Sequence, residues 1–247
     1  MKKLLLILGG LLAVAVIAFA IILFKLGAIV KTAVNKVGPT ITQTTFVLNG
    51  ADISPFSGKG SLKELTIGNP KGWTTEHAFF LKEISIALVP KSLPADHIVI
   101  ASILIDNPEI ICEVSSTLTN TNLQDLLKNI QQSGGTQPAQ TESKPTTAAQ
   151  PEAKPGKEPK IEIKSFRMQN VTIKVAGTGK IYTVNIPDLI MNDLGTKEGG
   201  LTPQQLSIAI MKEITAQASQ AAFKSAMKSG LKEKAVEGLR GLFEGKK

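Results

Sequence analysis

Apolar positions fall into three successive patterns along the chain. From Leu4 to Phe24 they run on without a charge, and about 20 such residues span a hydrocarbon core as a helix. Lys2–Lys3 precede the run and Lys25 follows it. Ala18–Phe19–Ala20 has the small-residue look of a secretory cleavage site, but Ile21–Ile22–Leu23–Phe24 still follow. Signal h-regions are shorter, about 7–15 residues. The pattern therefore predicts an uncleaved anchor, marked by Leu4, Leu12, Val16 and Phe24. Helical character is expected to continue toward Val37 and to stop at Gly38–Pro39. Lysines flank both ends, so charge alone does not orient the span. With three residues ahead of it, the N-terminus is expected to stay cytoplasmic while the body crosses.

From Thr40 the pattern becomes alternation punctuated by turns. Strands are predicted around Phe46–Leu48 and Leu62–Ile67, at Ile84–Leu88, over His97–Ile105 and at Ile110–Val114. His97–Ile105 reads as apolar on both faces, with Ile98, Ile100 and Leu104 on one and Val99, Ala101, Ile103 and Ile105 on the other; such a strand needs cover on both sides. A short helix follows at Asn122–Leu127, capped by Thr121 or Asn122. Strands resume at Ile161–Ile163. Val171, Ile173 and Val175 share one face of the next, and Tyr182, Val184 and Ile186 alternate on a return strand beyond Gly177–Thr178–Gly179.

The third pattern is helical. Thr202 is placed as N-cap, Pro203 at the first helical position and Gln205 as the partner in a capping box. Leu206, Ile210, Ile214, Ala218 and Ala221 follow helical spacing. Beyond Gly230 the stripe weakens among lysines. Such a helix either packs on the sheet with a solvated basic face or lies on an anionic membrane.

Between about Gln131 and Lys160 the chain holds no large apolar residue and is rich in Gln, Thr, Pro, Ala, Lys and Glu. Such a stretch buries too little to offset its ordering entropy and reads as a disordered linker. The expected organisation is an anchor (1–36), a first part of a β-rich body (37–130), the linker (131–160), strands completing the sheet (161–195) and a C-terminal helix (196–247).

Composition narrows the chemistry. The net charge is +8, but the basic excess sits at the two ends and the middle is nearly neutral. Arg167 is the only Arg of the body and aromatics are 4% of the chain, which argues against nucleic-acid binding. Cys112 is the only cysteine. It can form no internal disulfide or Cys-based zinc site, and it reads as a small buried hydrophobe. His77 and His97 lie far apart, without Cys, Asp or Glu at metal-ligand spacing. No nucleophile elbow, phosphate loop or dinucleotide fingerprint occurs. No enzyme activity, cofactor or metal is expected.

Several stretches in order resemble the AsmA-like family of bacterial envelope proteins, relatives of bridge-like lipid-transfer proteins. They are the N-terminal apolar run with Gly38–Pro39–Thr40–Ile41–Thr42, then Ile53–Ser54–Pro55 with Ser57–Gly58–Lys59–Gly60–Ser61–Leu62, then Ile67–Gly68–Asn69–Pro70–Lys71–Gly72–Trp73. Ser92–Leu93 before Ile98–Val99–Ile100, Asn107–Pro108–Glu109 before Ile110, and Asn122–Leu123–Gln124–Asp125–Leu126–Leu127 complete the set. The resemblance implies a mainly β body with α: inner-membrane anchoring, a periplasmic twisted antiparallel gutter-like sheet with an apolar concave face, and lipid handling without catalytic residues. Read through it, Ile98, Ile100, Leu104, Val171, Ile173 and Val175 are the candidates to line a lipid groove. The expected partners are the membrane, phospholipid and other envelope proteins. The alternative is an envelope interaction protein with a closed core. Roughly eight to ten strands at about 4.8 Å each would stack to some 40–50 Å, enough for a lipid chain but not for bridging two membranes.

Overall fold

The computed structural model describes residues 25–92, 95–116, 120–133, 159–177 and 180–228. The anchor expected over Leu4–Phe24, most of the linker expected over 131–160 and the basic tail beyond Gly230 lie outside these residues. Among the described residues no helix is long and apolar enough to cross a membrane. In the described residues nine strands form one sheet: β1 (Phe46–Ile53), β2 (Lys59–Ile67), β3 (Phe79–Leu88), β4 (His97–Asp106), β5 (Glu109–Glu113), β6 (Lys160–Gln169), β7 (Thr172–Gly177), β8 (Lys180–Asn185) and β9 (Leu189–Leu194). The α-helices among the described residues are α1 (Leu26–Thr42), α2 (Asn122–Ser133) and α3 (Pro203–Lys228).

The sheet is mixed, not antiparallel throughout as the family resemblance suggested. β4 pairs with β6, and β5 with β7, in parallel. The reason is topological. After β5 the chain enters α2 and returns to the starting end of β4 before β6 begins, and a crossover of this kind produces parallel neighbours. The remaining pairings are antiparallel.

The strands fall on six lines. β4 and β5 both pair with β3 in one unbroken register, through Ile84↔Ile105 and Phe79↔Ile110. β6 and β7 likewise continue one another beside them, as do β8 and β9. Six lines span only about 25 Å at ordinary strand spacing, narrower than a side-by-side stack of nine. The two edges are β1 and the β8–β9 line.

A crease crosses all six lines. The pairings on either side align Asn49, Glu64, Lys82, Asn107, Asn170 and Pro187 in one row. Glu64, Asn107 and Asn170 take left-handed backbone, at φ 54°, 50° and 53°. A residue of this kind interrupts the two-residue alternation of a strand. Apolar positions therefore slip by one residue on every line: Leu81 to Ile84, Ile105 to Pro108, Met168 to Val171 and Ile186 to Leu189 keep to one side. Because all lines slip together, the register survives and the apolar face stays continuous. Asp106 closes the crease on the opposite side, accepting hydrogen bonds from Asn170 (2.7 Å) and Gln169 (3.2 Å). The Asn170 and Gln169 bonds hold its carboxyl below the usual range.

α1 protects the β1 edge. The Asn35 side chain accepts from the Leu48 amide (2.6 Å) and donates to the Leu48 carbonyl (3.0 Å), so the edge finds its partner within the chain. The helix was expected to stop at Gly38–Pro39, yet it runs through Pro39 and ends at Gln43, φ 55°. Proline removes one intrahelical bond, and packing offsets that loss. Gly38 is buried against Phe46, whose ring a Cβ at Gly38 would strike.

α2 and α3 cover the apolar face over β5 and over β6 to β9. Both begin with a reciprocal capping box. The Gln124 amide donates to Thr121 Oγ1 and the Thr121 amide to Gln124 Oε1; Gln205 and Thr202 do the same, as the sequence predicted. Thr121, not Asn122, is the α2 cap. Asn122 is fully buried, with Oδ1 accepting from the Glu113 amide and Nδ2 donating to Ile111 O and Asn69 Oδ1. The apolar core includes Leu48, Phe79, Ile110, Leu123, Leu126, Ile130, Phe166 and Ile214.

Candidate functional site

The apolar face divides at the crease. On one side lie Leu48, Leu65, Phe79, Ile110, Cys112 and the whole inward row of β7. Val171, Ile173 and Val175 are 1%, 0% and 7% exposed. They share one face, but that face is sealed beneath the helices. Cys112 sits in the same layer, and burial pushes its thiol up to about 12.

On the other side the cover thins. The helices make their main contacts with β1, β5 and β6 to β9, not with β2, β3 or β4. Leu62, Ile86, Ile98, Ile100 and Ile103 are only half-buried there. They form an apolar strip with α1 to one side and α3 to the other. Across the strip Leu62 pairs with Ile84, and Ile86 with Ile103.

Leu104 departs from expectation. β4 carries a bulge, because Ala87 pairs with Ser102 while Leu88 pairs with Ile100. Ala101 is the extra residue, and it inverts the alternation. Ile98 and Ile100 therefore join Ile103 and Ile105, which pair with the buried Phe166 and Met168. Leu104 pairs with exposed Arg167 on the opposite face and is 36% exposed. The six residues singled out in the sequence thus part three ways: Val171, Ile173 and Val175 in the closed layer, Ile98 and Ile100 in the strip, Leu104 behind it. Leu62, Ile86 and Ile103 were not singled out for the groove, although Ile86 alternates with Ile84 and Leu88. For Ile103 the signal was Ala101–Ser102, two small residues in an otherwise bulky strand.

The opposite face carries charged pairs besides the exposed Leu104 and Ile190. Glu109 meets Lys174 (2.9 Å) and His77 (3.2 Å), and the Lys174 bond leads in holding its carboxyl below the ordinary range. His97 lies 3.3 Å from Glu162. Among the described residues no three His, Cys, Asp or Glu side chains come together as a metal site would need. Glu113 accepts from the amides and hydroxyls of Thr74 and Thr75, which latches the β2–β3 loop to β5. Trp73 Nε1 donates to Asp125 (3.0 Å) and ties the same loop to α2.

Comparison with curated proteins and with solved structures gave no significant match. The profile of the AsmA family matches residues 1–227, which takes in every strand and nearly all of α3. Matched by that profile over most of its length, the chain belongs to the AsmA family.

Proposed function

We propose that this chain is a non-catalytic, membrane-anchored envelope protein that holds a lipid acyl chain against the strip formed by Leu62, Ile86, Ile98, Ile100 and Ile103. Membership of the AsmA family supports an envelope-associated role. The uncharged Leu4–Phe24 run supports anchoring. The strip itself carries the lipid reading: it is apolar and only half-buried where the helices leave β2 to β4. Burying such a surface against an acyl chain is favourable by about 25 cal/mol per Å².

The test uses the full chain in vesicles that contain a phospholipid with a photoactivatable acyl chain. Irradiation and peptide mapping should place adducts on β2 to β4, and Ile86→Glu with Ile103→Glu should remove them. Adducts confined to residues 4–24 would sink the reading, since bilayer contact alone gives that result.

A second reading rests on the β8–β9 edge, which has no strand beside it among the described residues and exposes Ile181 and Ile190. An unpaired edge is a template for another chain. Protein crosslinks along β8–β9, with no lipid adduct on the strip, would favour an envelope interaction protein.

A further inference from the structure

The hairpin between β1 and β2 carries Phe56 at its tip, 83% exposed, the most exposed of the large apolar side chains in the described residues. The turn is well built for presenting a side chain outward. Its base is closed by Ser54 N to Lys59 O (2.9 Å) and Gly58 N to Ser54 O (2.9 Å). Gly58 adopts φ 70°, and a Cβ there would collide with the Leu88 carbonyl. The loop is therefore braced against the end of β3 by the Leu88 amide bond to Gly58 O (2.7 Å). Phe56 itself belongs to no part of the core.

The position of α1 shows what lies beside this tip. Gly27 packs so closely on Ala51 that a Cβ would strike its carbonyl. Gly27 and Ala28 also line a cleft of about 640 Å³ together with Asp52, Ser54 and Lys59, at the base of the hairpin. At its other end α1 reaches Phe46, so it runs antiparallel to β1. Its N-terminal direction is the direction in which β1 runs toward Phe56. The uncharged run Leu4–Phe24 ends three residues before Gly27, and the described chain begins at Lys25 on the hairpin side. Phe56 lies five residues beyond Ala51 along β1 and its turn. At about 3.3 Å per extended residue, part of it lost to the turn, this puts the tip on the order of 10 Å further in that direction.

The same rim of the sheet is basic. Lys25, Lys59, Lys91, Lys160 and Lys197 all lie exposed at this end, against Asp96, Asp193 and Glu198, while Asp52 beside them is paired with Lys63. Lys59 opens β2, Lys91 follows β3, Lys160 opens β6, and Lys197 follows β9. An exposed aromatic ring at the end of a row of lysines suits the boundary between phosphate headgroups and acyl chains.

We propose that the β1–β2 hairpin docks on an anionic phospholipid surface, with Phe56 inserted at the headgroup boundary of the bilayer that the N-terminal run enters. This rests on the anchor reading above and adds a second point of attachment. Two points fix the sheet's attitude to the bilayer. The rim at which β4 begins, and with it the Ile98–Ile100 end of the apolar strip, then faces the lipid.

The test is the depth of a fluorophore attached at single cysteines on the full chain, in vesicles of phosphatidylcholine and phosphatidylglycerol. Cys112 is buried and its thiol is pushed up to about 12, so Phe56→Cys, Ala15→Cys and Lys71→Cys can be labelled selectively in the folded protein. A nitrobenzoxadiazole label at 56 is expected to shift to the blue and to be quenched by lipid-borne nitroxide. The label at 71, in the loop at the far rim, is expected to stay aqueous. An embedded label at 15 with an aqueous label at 56 overturns hairpin docking and leaves the anchor standing. Aqueous labels at both overturn the anchor reading and the docking with it. A label at 56 that is shielded but not quenched by the lipid nitroxide identifies a protein neighbour, a second copy included, and also overturns the proposal.

Discussion

Asn107 and Asn170 lie side by side on parallel strand lines, and both hold left-handed backbone, at φ 50° and 53°. The Asn107 amide donates to the Gln169 carbonyl (3.1 Å) across the same row. The pair marks the crease where six lines change phase together. Asparagine tolerates this conformation, whereas a β-branched residue loses roughly 1–2 kcal/mol in it. Asn107→Val and Asn170→Val should each lower stability by about that much, and Asn107→Gly should be nearly neutral. Urea unfolding with near-UV and far-UV probes checks this. Equal stability of the valine and glycine variants would mean that the crease carries no backbone strain.

Asn122 supplies a second measurement. Its side chain satisfies the Glu113 amide, the Ile111 carbonyl and Asn69 Oδ1 in a fully buried place. Asn122→Ala leaves those groups without it, and each orphaned group costs on the order of 1–3 kcal/mol. We expect a loss of about 3 kcal/mol in thermal or denaturant unfolding. The β2–β3 loop should also loosen, seen as faster amide exchange at Thr74 and Thr75.

Glu113 ties the same loop and gives it a pH dependence. Burial works to raise its pKa, but the hydrogen bonds from Thr74 and Thr75 outweigh it and hold the carboxyl below the ordinary glutamate value. The folded state therefore binds fewer protons than the unfolded chain as pH falls below that value. Its stabilisation is present above the unfolded pKa and is lost as pH falls through the folded one. Glu113→Gln should flatten the acid limb of the stability–pH curve and lower the plateau near neutral pH. An unchanged acid limb would show that the latch does not titrate with folding.

Gly38 and Phe46 test the helix that shields the β1 edge. Gly38→Ala should destabilise by about 1–3 kcal/mol through overpacking against the ring, although alanine is the better helix former. Phe46→Leu in the Gly38→Ala background should recover part of the loss. A double-mutant cycle with no coupling would refute the contact as the reason for glycine.

Ile173 separates the two halves of the apolar face. It has no exposed surface, so Ile173→Asp should unfold the protein and expose Cys112 to thiol reagents, with little to reveal about lipid. Ile103→Glu, in the half-buried strip, should leave Cys112 protected. If both variants kept the thiol protected, the layer under α2 and α3 would not be closed.

The AsmA-like order of turns and strands was legible because each piece is local. Phe46, Leu62–Ile67 and Val171–Val175 announce strands by alternation, and Gly58 and Gly72 supply left-handed turn positions. The slip of alternation was also written in the chain. Lys63–Glu64 and Lys82–Glu83 in mid-strand, and Asp106–Asn107 and Gln169–Asn170 where one strand hands over to the next on its line, are consecutive polar residues. Read one strand at a time, each looks like a strand end. Only pairing shows that they form a single row, and for the same reason the bulge at Ala101 moved Leu104 to the opposite face.

By itself, then, the sequence determined the Thr202–Gln205 capping box, the sites of the strands, the burial of Cys112 and the uncharged N-terminal run. These depend on near neighbours and on the cost of leaving apolar groups in water. Tertiary structure alone decided the parallel pairing of β4 with β6, the alignment of the crease, the burial of Asn122, and the division of the apolar face into a sealed layer and a half-open strip. Those outcomes depend on register between strands distant in sequence and on where the helices come to rest. No local pattern encodes either, because the partner that satisfies each group is fixed only when the sheet closes its ranks around it.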